Sequence, residues 1–337
     1  MSSKQPVSLR NLFEGMGLTP ETVAAKAKPE KKPKPRKPET VLTPLPAAAF
    51  ADAIRPEDVG YTHPVLMQCF LPVRHTKTNA DRHQTNCGRA SLVIRAGELV
   101  KPDAPNTFKQ CLVPAGPKAR LISAYVNDFI HSYRTPVVPL GDSMRKAMEK
   151  MGIPIGGKNG EELARELENF AAAEIILGVW DADGSAHQRK AAVSEEFSFW
   201  IERDPNQRTF WQPEMTVSQR YYAAITERDM TPFHWPALIE LSHNARAMDI
   251  HAFLTYRLHR GLKKPVPLRR EVLHAMFGQG VKSEKQFWPE FKKALLVAHK
   301  QYPTARIEVT KDSKGNETGI LLKDSPPLIP YRKLAKL

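Results

Sequence analysis

The sequence predicts an α+β protein in which a group of helices followed by a β-hairpin occurs twice, after a basic tail. Apolar residues recur at helical spacing in both halves, and each helical group ends at runs that alternate like strands around a polar turn. With 337 residues, 41% of them hydrophobic, the chain is long enough for two ordinary domains and a tail. We therefore expect a tail at 1–50, one domain at 51–204 and a second at 205–337.

The expected tail differs in composition from the rest of the chain. Residues 6–17 have the spacing of a short amphipathic helix, and residues 26–38 read KAKPEKKPKPRKP, with seven basic residues, one acid and four prolines. Because proline removes backbone donors and like charges repel, this stretch is expected to be disordered and extended. Attraction to phosphates and simple solubilisation are both open as its role.

The net charge of +14 indicates a polyanionic partner, most often nucleic acid, against the alternative of a basic protein kept soluble by its charge. Three cysteines are too few and too sparse for a disulfide framework and are typical of a reducing compartment. The N-terminus lacks the apolar run of a signal peptide, and no stretch approaches 18 apolar residues. We therefore expect a cytoplasmic protein with no membrane segment.

The first domain is expected to contain an early strand, three helices and a closing hairpin. In chain order these elements are expected at 90–94, 117–132, 142–151, from Asn159 onward, at 175–180 and at 193–201.

The second domain repeats the order more clearly. Its helices and strands are expected at 236–259, with a break near 243–244, then at 268–277, 283–302, 305–310 and 318–322. Ser283 with Gln286 three residues on has the spacing of a capping box at the start of the third helix. Three helices followed by a two-stranded hairpin is the order of a winged helix.

The predicted helix 283–302 has two contrasting faces when its residues are placed at 100° intervals. One arc is apolar and is expected to be buried; it holds Phe287, Trp288, Phe291, Ala294, Leu295, Ala298 and Tyr302. The opposite arc is basic and holds Lys285, Gln286, Lys292, Lys293, Leu296 and Lys300. A merely solvated face usually mixes both signs, so this face suits phosphate contact and base-edge hydrogen bonding in a major groove. The alternative is a winged helix used for protein contacts.

Pro289 leaves two possible starts for this helix. It removes a backbone hydrogen bond, so the helix is either kinked there or begins there, with Lys285 and Gln286 in a preceding turn. Lys292 and Lys293 are expected to face DNA in both cases. Further DNA contacts are expected from the preceding helix, the hairpin tip and the first domain, through Arg269, Arg270, Lys311, Lys314, Lys118 and Arg120.

Signatures of catalysis are missing from the sequence. There is no phosphate-binding loop of the G-x-x-x-x-G-K-[ST] type, and no acidic cluster typical of two-metal catalysis. Tyr221 and Tyr222 resemble the nucleophiles of a nicking enzyme but lack paired metal ligands, so they are better explained as helix residues. A zinc site at Cys69, His75, His83 and Cys87 would have a spacing that matches no common finger. We expect no enzymatic activity, no metal and no cofactor.

Several motifs together resemble the C-terminal family of RepA-type plasmid replication initiators, which are related to TrfA-like initiators. The resemblance spans roughly residues 65–325 and depends on the order and spacing of the motifs. The matching positions are 70–72, 88–97, 117–121, 247–250, Leu254, 256–258, Phe287, Phe291, 302–303, Ala305 and 319–322. The chain departs from the family pattern at Leu268, where relatives often have tryptophan, and at Pro289.

This resemblance implies two tandem winged-helix domains and no enzymatic activity. Initiators of this family bind short direct repeats (iterons) in double-stranded DNA at the plasmid origin, help to open AT-rich DNA and recruit the host initiator and replicative helicase. The resemblance also implies a monomer–dimer equilibrium through the first domain, and a location in the bacterial cytoplasm with the plasmid and nucleoid. A winged-helix transcriptional regulator without a replication role is the alternative, and a rolling-circle nicking enzyme is a third.

Overall fold

The computed structural model describes the chain between residues 54 and 330. Within that range the residues not described are 102, 103, 105, 142, 181, 182, 184, 198–212, 228 and 282. The predictions for the tail at 1–50 and for the domain boundary at 204–205 lie outside the described residues.

Helices and strands are both abundant, which confirms the α+β class. The helices are α1 Gly116–Tyr133, α2 Met144–Lys150, α3 Gly157–Ala172, α4 Gln219–Thr226, α5 Trp235–Glu240, α6 Ala245–His259, α7 Arg270–Phe277 and α8 Glu284–Lys300. Short 3-10 turns lie at Pro56–Asp58, Pro64–Met67 and Lys77–Asn79.

The strands form small antiparallel sheets. They are β1 Val59–Thr62, β2 Arg82–Cys87, β3 Ala90–Arg95, β4 Glu98–Val100, β5 Phe108–Gln110, β6 Val137–Pro139, β7 Glu174–Trp180, β8 Ala186–Ala192, β9 Ser194–Phe197, β10 Glu214–Val217, β11 Thr231–His234, β12 Val266–Arg269, β13 Ile307–Lys311 and β14 Glu317–Leu322. Their orders are β1–β11, β6–β10–β9, β12–β14–β13, β2–β3–β7–β8 and β4–β5.

The same arrangement of elements occurs twice. The first unit, residues 116–217, contains α1, β6, α2 and α3, then β7 and β8, which belong to the sheet β2–β3–β7–β8, and closes with β9 and β10 in a sheet of order β6–β10–β9. The second unit, residues 245–322, contains α6, β12, α7 and α8, and closes with β13 and β14 in a sheet of order β12–β14–β13. In each unit the last strand lies in the centre of the sheet, between the other two.

The first unit corrects the predicted hairpin. The strand expected at 175–180 is β7, but its partner is β8 and not 193–201, and the following strand β9 pairs with β10 in a different sheet. The chain changes sheets at Val193, which is fully buried and donates its N–H to the carbonyl of Ala173. β8 and β9 are both mostly polar, and no glycine or proline separates them, so the sequence carries no signal of this change.

In the second unit the structure contains a strand that the sequence did not predict. Leu268 lies in β12 and the helix begins only at Arg270. β12 pairs with β14 from Val266 opposite Leu322 to Arg269 opposite Gly319. Pro267 is tolerated because β12 is an edge strand.

The predicted break in the helix at 236–259 is confirmed. α5 ends at Glu240 and α6 begins at Ala245, after Asn244 whose side chain accepts from the N–H of Ala247. Asn at this position satisfies a backbone donor that the first helical turn leaves free.

The two units are joined by contacts from the segments that precede each of them. β1, which precedes the first unit, pairs with β11, which precedes the second. Phe70 stacks on Phe277 of α7 with ring centroids 5.3 Å apart. The apolar core therefore continues from one unit into the other. Among the described residues, no helix combines the length and the apolar character needed to cross a membrane.

Buried histidines make the stability of this core sensitive to acid. Desolvation lowers the pKa of His131 and His234 to about 4 and that of His251 to about 3. Desolvation also raises the pKa of Asp128 to about 6, against hydrogen bonds from the indole of Trp235 and the N–H of Tyr61. Between about pH 4 and pH 6.5 these histidines are neutral in the folded state and protonated in the unfolded state, so acid favours unfolding. Asp128 has the opposite effect, because it takes up its proton in the folded state at a higher pH than in the unfolded state.

We expect the free energy of unfolding to fall by roughly 4 kcal/mol between pH 7 and pH 5. The unfolded chain takes up protons at three histidines as the pH drops below about 6.5, and the folded chain does so only near pH 4. Urea unfolding at pH 7, 6 and 5 measures the loss, and His251→Phe is expected to reduce the pH dependence. Stability that is constant over this range would contradict the neutral, buried state of these side chains.

Candidate nucleic-acid interface

The central element of the candidate interface is the helix α8. The helix begins at Glu284 and continues through Pro289 without interruption, so neither a late start nor a preceding turn at Lys285 is present. The predicted capping box is wrong: the Ser283 side chain makes no cap hydrogen bond, and the Ser283 carbonyl accepts from Gln286 and Phe287 instead. Pro289 is exposed and in the second turn, where it removes one backbone bond to the carbonyl of Lys285.

One face of α8 is fixed in the core by aromatic packing. Phe287, Trp288 and Phe291 are at most 5% exposed, and Phe291 lies 5.7 Å from Phe277 of α7 between ring centroids. Burying a side chain of this size stabilises the fold by about 2–3 kcal/mol. The buried arc therefore fixes which residues of α8 point away from the protein, and it is the arc predicted from the sequence.

The opposite face of α8 is exposed and positively charged. Lys285, Lys293 and Lys300 are exposed, together with Gln286 and Leu296. No described acidic side chain forms an ion pair with any of these three lysines. Three uncompensated cations on one helix face, next to a side-chain amide, match the chemistry of phosphate contact and base-edge hydrogen bonding.

Both acidic residues of α8 are neutralised by arginines from other segments. Glu290 pairs with Arg246 of α6 at 2.7 Å, and Glu284 pairs with Arg270 of α7 at 3.0 Å. Negative charge therefore does not weaken the positive face, since each acid already has a partner within the second unit.

Lys292 lies at the edge of this face and serves the protein itself. Its ammonium group donates to Glu317 at 2.6 Å, and the side chain is 27% exposed. The indole of Trp288 donates to the same carboxylate at 2.6 Å. Burial alone would raise the pKa of Glu317, but the hydrogen bonds from Lys292 and Trp288 lower it. This cluster joins α8 to the first residue of β14; a DNA contact by Lys292 stays a prediction.

The turn between β13 and β14 presents two further lysines. Lys311 and Lys314 are exposed, and Asp312 holds the turn by accepting from the N–H groups of Lys314 and Asn316, both at 2.8 Å. The hydrogen bonds from Asn316 lower the pKa of Asp312. Gly315 has φ +83°, a conformation that glycine adopts without strain. The turn is thus a defined projection beside α8.

Arg269 and Arg270 have different surroundings although they are adjacent. Arg269 is exposed at the end of β12, opposite Gly319. Arg270 is half-buried, lies 5.2 Å from the ring centroid of Trp288 and pairs with Glu284. The structure therefore leaves Arg269 available to a ligand and uses Arg270 to position α8.

Arg120 does not fit its predicted role as a phosphate contact. All five of its N–H donors are used: two to Asp249, at 2.6 and 2.7 Å, and three to the carbonyls of Leu71, Pro72 and Gly116. The side chain is 8% exposed. Sequence could not show this because Asp249 lies 129 residues away along the chain.

Lys118 is also occupied. It donates to Glu162 at 2.5 Å and to Asn159 at 3.1 Å, both on α3, and the hydrogen bond from Lys118 lowers the pKa of Glu162. The exposed side of α3 mixes Lys158 and Arg165 with Glu161. The helix that corresponds to α8 in the first unit thus lacks a face of one charge.

A segment of the first half adds charge near α8 that sequence reasoning missed. Arg74 and Arg82 are exposed and line a groove of about 290 Å³ with Gln279 and Gly280, which lie between α7 and α8. The only local signal is that residues 74–82 hold three basic residues in a polar stretch, and nothing in the sequence places that stretch beside the second unit.

The residues considered for catalysis have structural partners. Tyr221 and Tyr222 both lie in α4, as predicted. The Tyr221 hydroxyl is buried, donates to Asn127 at 2.7 Å, and has a pKa raised by burial. His75 contacts Glu166, and His83 contacts the carbonyl of Phe70. In the described part of the chain, no three His, Cys, Asp or Glu side chains are close enough together to hold a metal ion.

The fold is similar to that of solved structures. The crystal structure of selenomethionine derivatives of domains 2 and 3 of RctB aligns with a TM-score of 0.51 at 9% identity, over 79% of this chain and 99% of that one. A second crystal structure of RctB domains 2–3 aligns with a TM-score of 0.49 at 10% identity, over 78% and 96%. At such low identity the first likeness establishes the fold alone.

No curated protein sequence matches the chain significantly. Residues 119–266 match the family described as "Plasmid encoded RepA protein". The matched stretch includes most of the first unit and the first helix of the second, and ends at the start of β12. This match confirms the predicted resemblance to RepA-type initiators over residues 119–266.

Proposed function

We propose that this protein is a plasmid replication initiator that binds short direct repeats in duplex DNA at the origin. The observation that carries the proposal is the exposed face of α8, where Lys285, Lys293 and Lys300 have no described acidic partner. The family match supports the replication role. It does not bear on α8, which lies outside the matched residues, so the charge and exposure of α8 are the argument for the DNA contact.

We interpret both units as winged helices. Each has a helix, a strand and two helices and closes with two strands, the last of which lies in the centre of a three-stranded sheet; the first unit also contains β7 and β8, which belong to another sheet. In this interpretation α8 enters the major groove, and the turn bearing Lys311 and Lys314 contacts the backbone beside it. Two winged helices in one chain suit sites about 34 Å apart, which is one turn of duplex DNA.

The units are proposed to have different tasks. α8 gives the second unit the main recognition surface, whereas the mixed charges of α3 support a first unit that contributes less to DNA affinity and more to dimerisation. Opening of AT-rich DNA and recruitment of the host initiator and helicase belong to the same proposal. None of these roles requires a catalytic step or a cofactor.

Footprinting on the DNA beside the gene tests this proposal. We expect protection of repeated sites at a spacing near one helical turn, and loss of protection when Lys285, Lys293 and Lys300 are replaced by alanine. A plasmid that carries only this gene and its flanking DNA is expected to replicate. Protection without replication would identify a transcriptional regulator instead, and the absence of protected sites would reject both roles.

A further inference from the structure

A second basic surface lies in a groove that the proposed duplex contact does not use. The groove has a volume of about 820 Å³ and lies where the loop between α6 and β12 meets the turn between β2 and β3. Its walls therefore come from both halves of the chain, which no local sequence pattern brings together.

Five cations line this groove, and all five are exposed. Arg257, Arg260, Lys263 and Lys264 come from the end of α6 and the loop after it, and Arg89 comes from the opposite wall. Burial raises the pKa of the Cys87 thiol and the charge of Arg257 partly offsets this, as expected if Arg257 faces the turn that carries Arg89.

Negative charge in the groove is sparse. Among the described lining residues Asp229 is the one acid; it is almost fully exposed and lies 3.7 Å from Arg260. An exposed ion pair of this kind is weak and exchanges readily with another anion. The other four cations have no ion pair with a described residue, so the groove carries a concentrated positive potential.

The groove is separate from the face of α8 and the turn beside it. β12 and β14 pair over four residues. At one end of this pairing Val266 lies opposite Leu322, next to the groove. At the other end Arg269 lies opposite Gly319, next to the turn between β13 and β14. These positions are three residues apart, or roughly 10 Å along the strand, at opposite ends of the sheet. A duplex held by α8 and the turn thus leaves the groove free for a different ligand.

We propose that this groove binds a single strand of nucleic acid through its phosphates. A concave channel of this size suits a flexible strand better than the convex surface of a duplex, and basic grooves with an aromatic side chain are the usual means of binding single strands. Tyr256 lines the groove and is half-buried, which leaves part of its ring available to a base. The site goes beyond the duplex contact of the proposed function and is independent of the repeat sequence.

The experiment compares the full chain with two variants. The groove variant is Arg257→Gln, Lys263→Gln and Lys264→Gln, and the α8 variant is Lys285→Ala, Lys293→Ala and Lys300→Ala. Each loses three charges at exposed positions, and circular dichroism melting checks that both are folded. The probes are a labelled oligothymidine of 20 nucleotides, a duplex of 20 base pairs taken from beside the gene, and poly-glutamate, with affinities measured by fluorescence anisotropy at 0.1 M salt.

We expect the groove variant to lose about tenfold or more in affinity for the oligothymidine while its duplex affinity changes less than threefold. The α8 variant is expected to show the reverse. Arg89→Gln, from the opposite wall, should weaken oligothymidine binding alone. Unchanged oligothymidine binding by the groove variant would overturn the inference, as would tighter binding of poly-glutamate than of oligothymidine. If duplex binding alone survives in the wild-type chain, this inference fails and the proposed function stands; if duplex binding fails, the proposed function fails.

Discussion

Simultaneous replacement of Lys285, Lys293 and Lys300 by alanine is expected to lower the affinity for duplex DNA by about 30- to 100-fold near 0.1 M salt. These three ammonium groups have no described acidic partner, so each is free to replace a counterion at a phosphate. The core side of α8 is unchanged by the substitutions, because all three lysines are on its exposed arc.

Titration of labelled duplex at several salt concentrations measures both the affinity and its salt dependence. The slope of log affinity against log salt should become shallower by about 3, or roughly one for each phosphate that a lysine no longer neutralises. A matched control removes the same charge elsewhere, with Lys109, Lys146 and Lys190 replaced by alanine. Each of these pairs with an acid, Glu168, Glu149 and Glu174 respectively, and the control is expected to change affinity less than threefold.

Two outcomes would contradict this assignment of the interface. If the α8 variant keeps the wild-type slope, its lysines do not contact phosphates. If the control and the α8 variant lose affinity equally, the attraction depends on net charge and not on the face of α8.

Replacing Arg120 with alanine is expected to reduce the free energy of unfolding by about 3–5 kcal/mol at pH 7. The substitution leaves the carboxylate of Asp249 buried without its partner, and it leaves three backbone carbonyls without a donor. Burial already raises the pKa of Asp249, against the opposing charge of Arg120. Without Arg120 that pKa rises further, so the destabilisation should become smaller as the pH falls and Asp249 takes up a proton.

A double-mutant cycle by urea unfolding measures the coupling between the two residues. Arg120→Met combined with Asp249→Leu is expected to be more stable than Arg120→Met alone, because no unpaired charge stays in the core. DNA affinity of the folded single variant at moderate temperature distinguishes the two roles considered for Arg120. A salt slope reduced by one with little loss of stability would restore the predicted phosphate contact and refute the structural role.

Features that depend on residues close together in the sequence could be predicted, and features that depend on distant residues could not. The break before α6 was predictable because Asn244 caps the next helix within three residues. The two faces of α8 were predictable because side chains on a helix repeat every 3.6 residues. The start of α8 was not settled, since Pro289 is compatible with the first turn of a helix and, at some cost, with its second turn.

The errors concern pairing and burial. β12 is short and contains Pro267, so its four residues carry little strand signal until β14 pairs with them. The change of sheet after β8 depends on where Val193 is buried and not on polarity along the strand. Arg120 has the same local appearance as an exposed arginine, and only the position of Asp249 distinguishes them.

The sequence by itself determined that the chain is α+β, that α8 has one apolar and one basic face, and that the motifs resemble RepA-type initiators. Each of these properties is local or depends on order along the chain, because helical and strand periodicities are set by neighbouring residues. Only the tertiary structure decided which cations have an acidic partner. Arg120 and Lys118 form ion pairs with Asp249 and Glu162, whereas Lys293 and the arginines at 74 and 82 are exposed and have no ion pair with a described residue. The physical reason is that a charge is neutralised by whatever the fold brings within about 4 Å, and that partner can be more than a hundred residues away in the sequence.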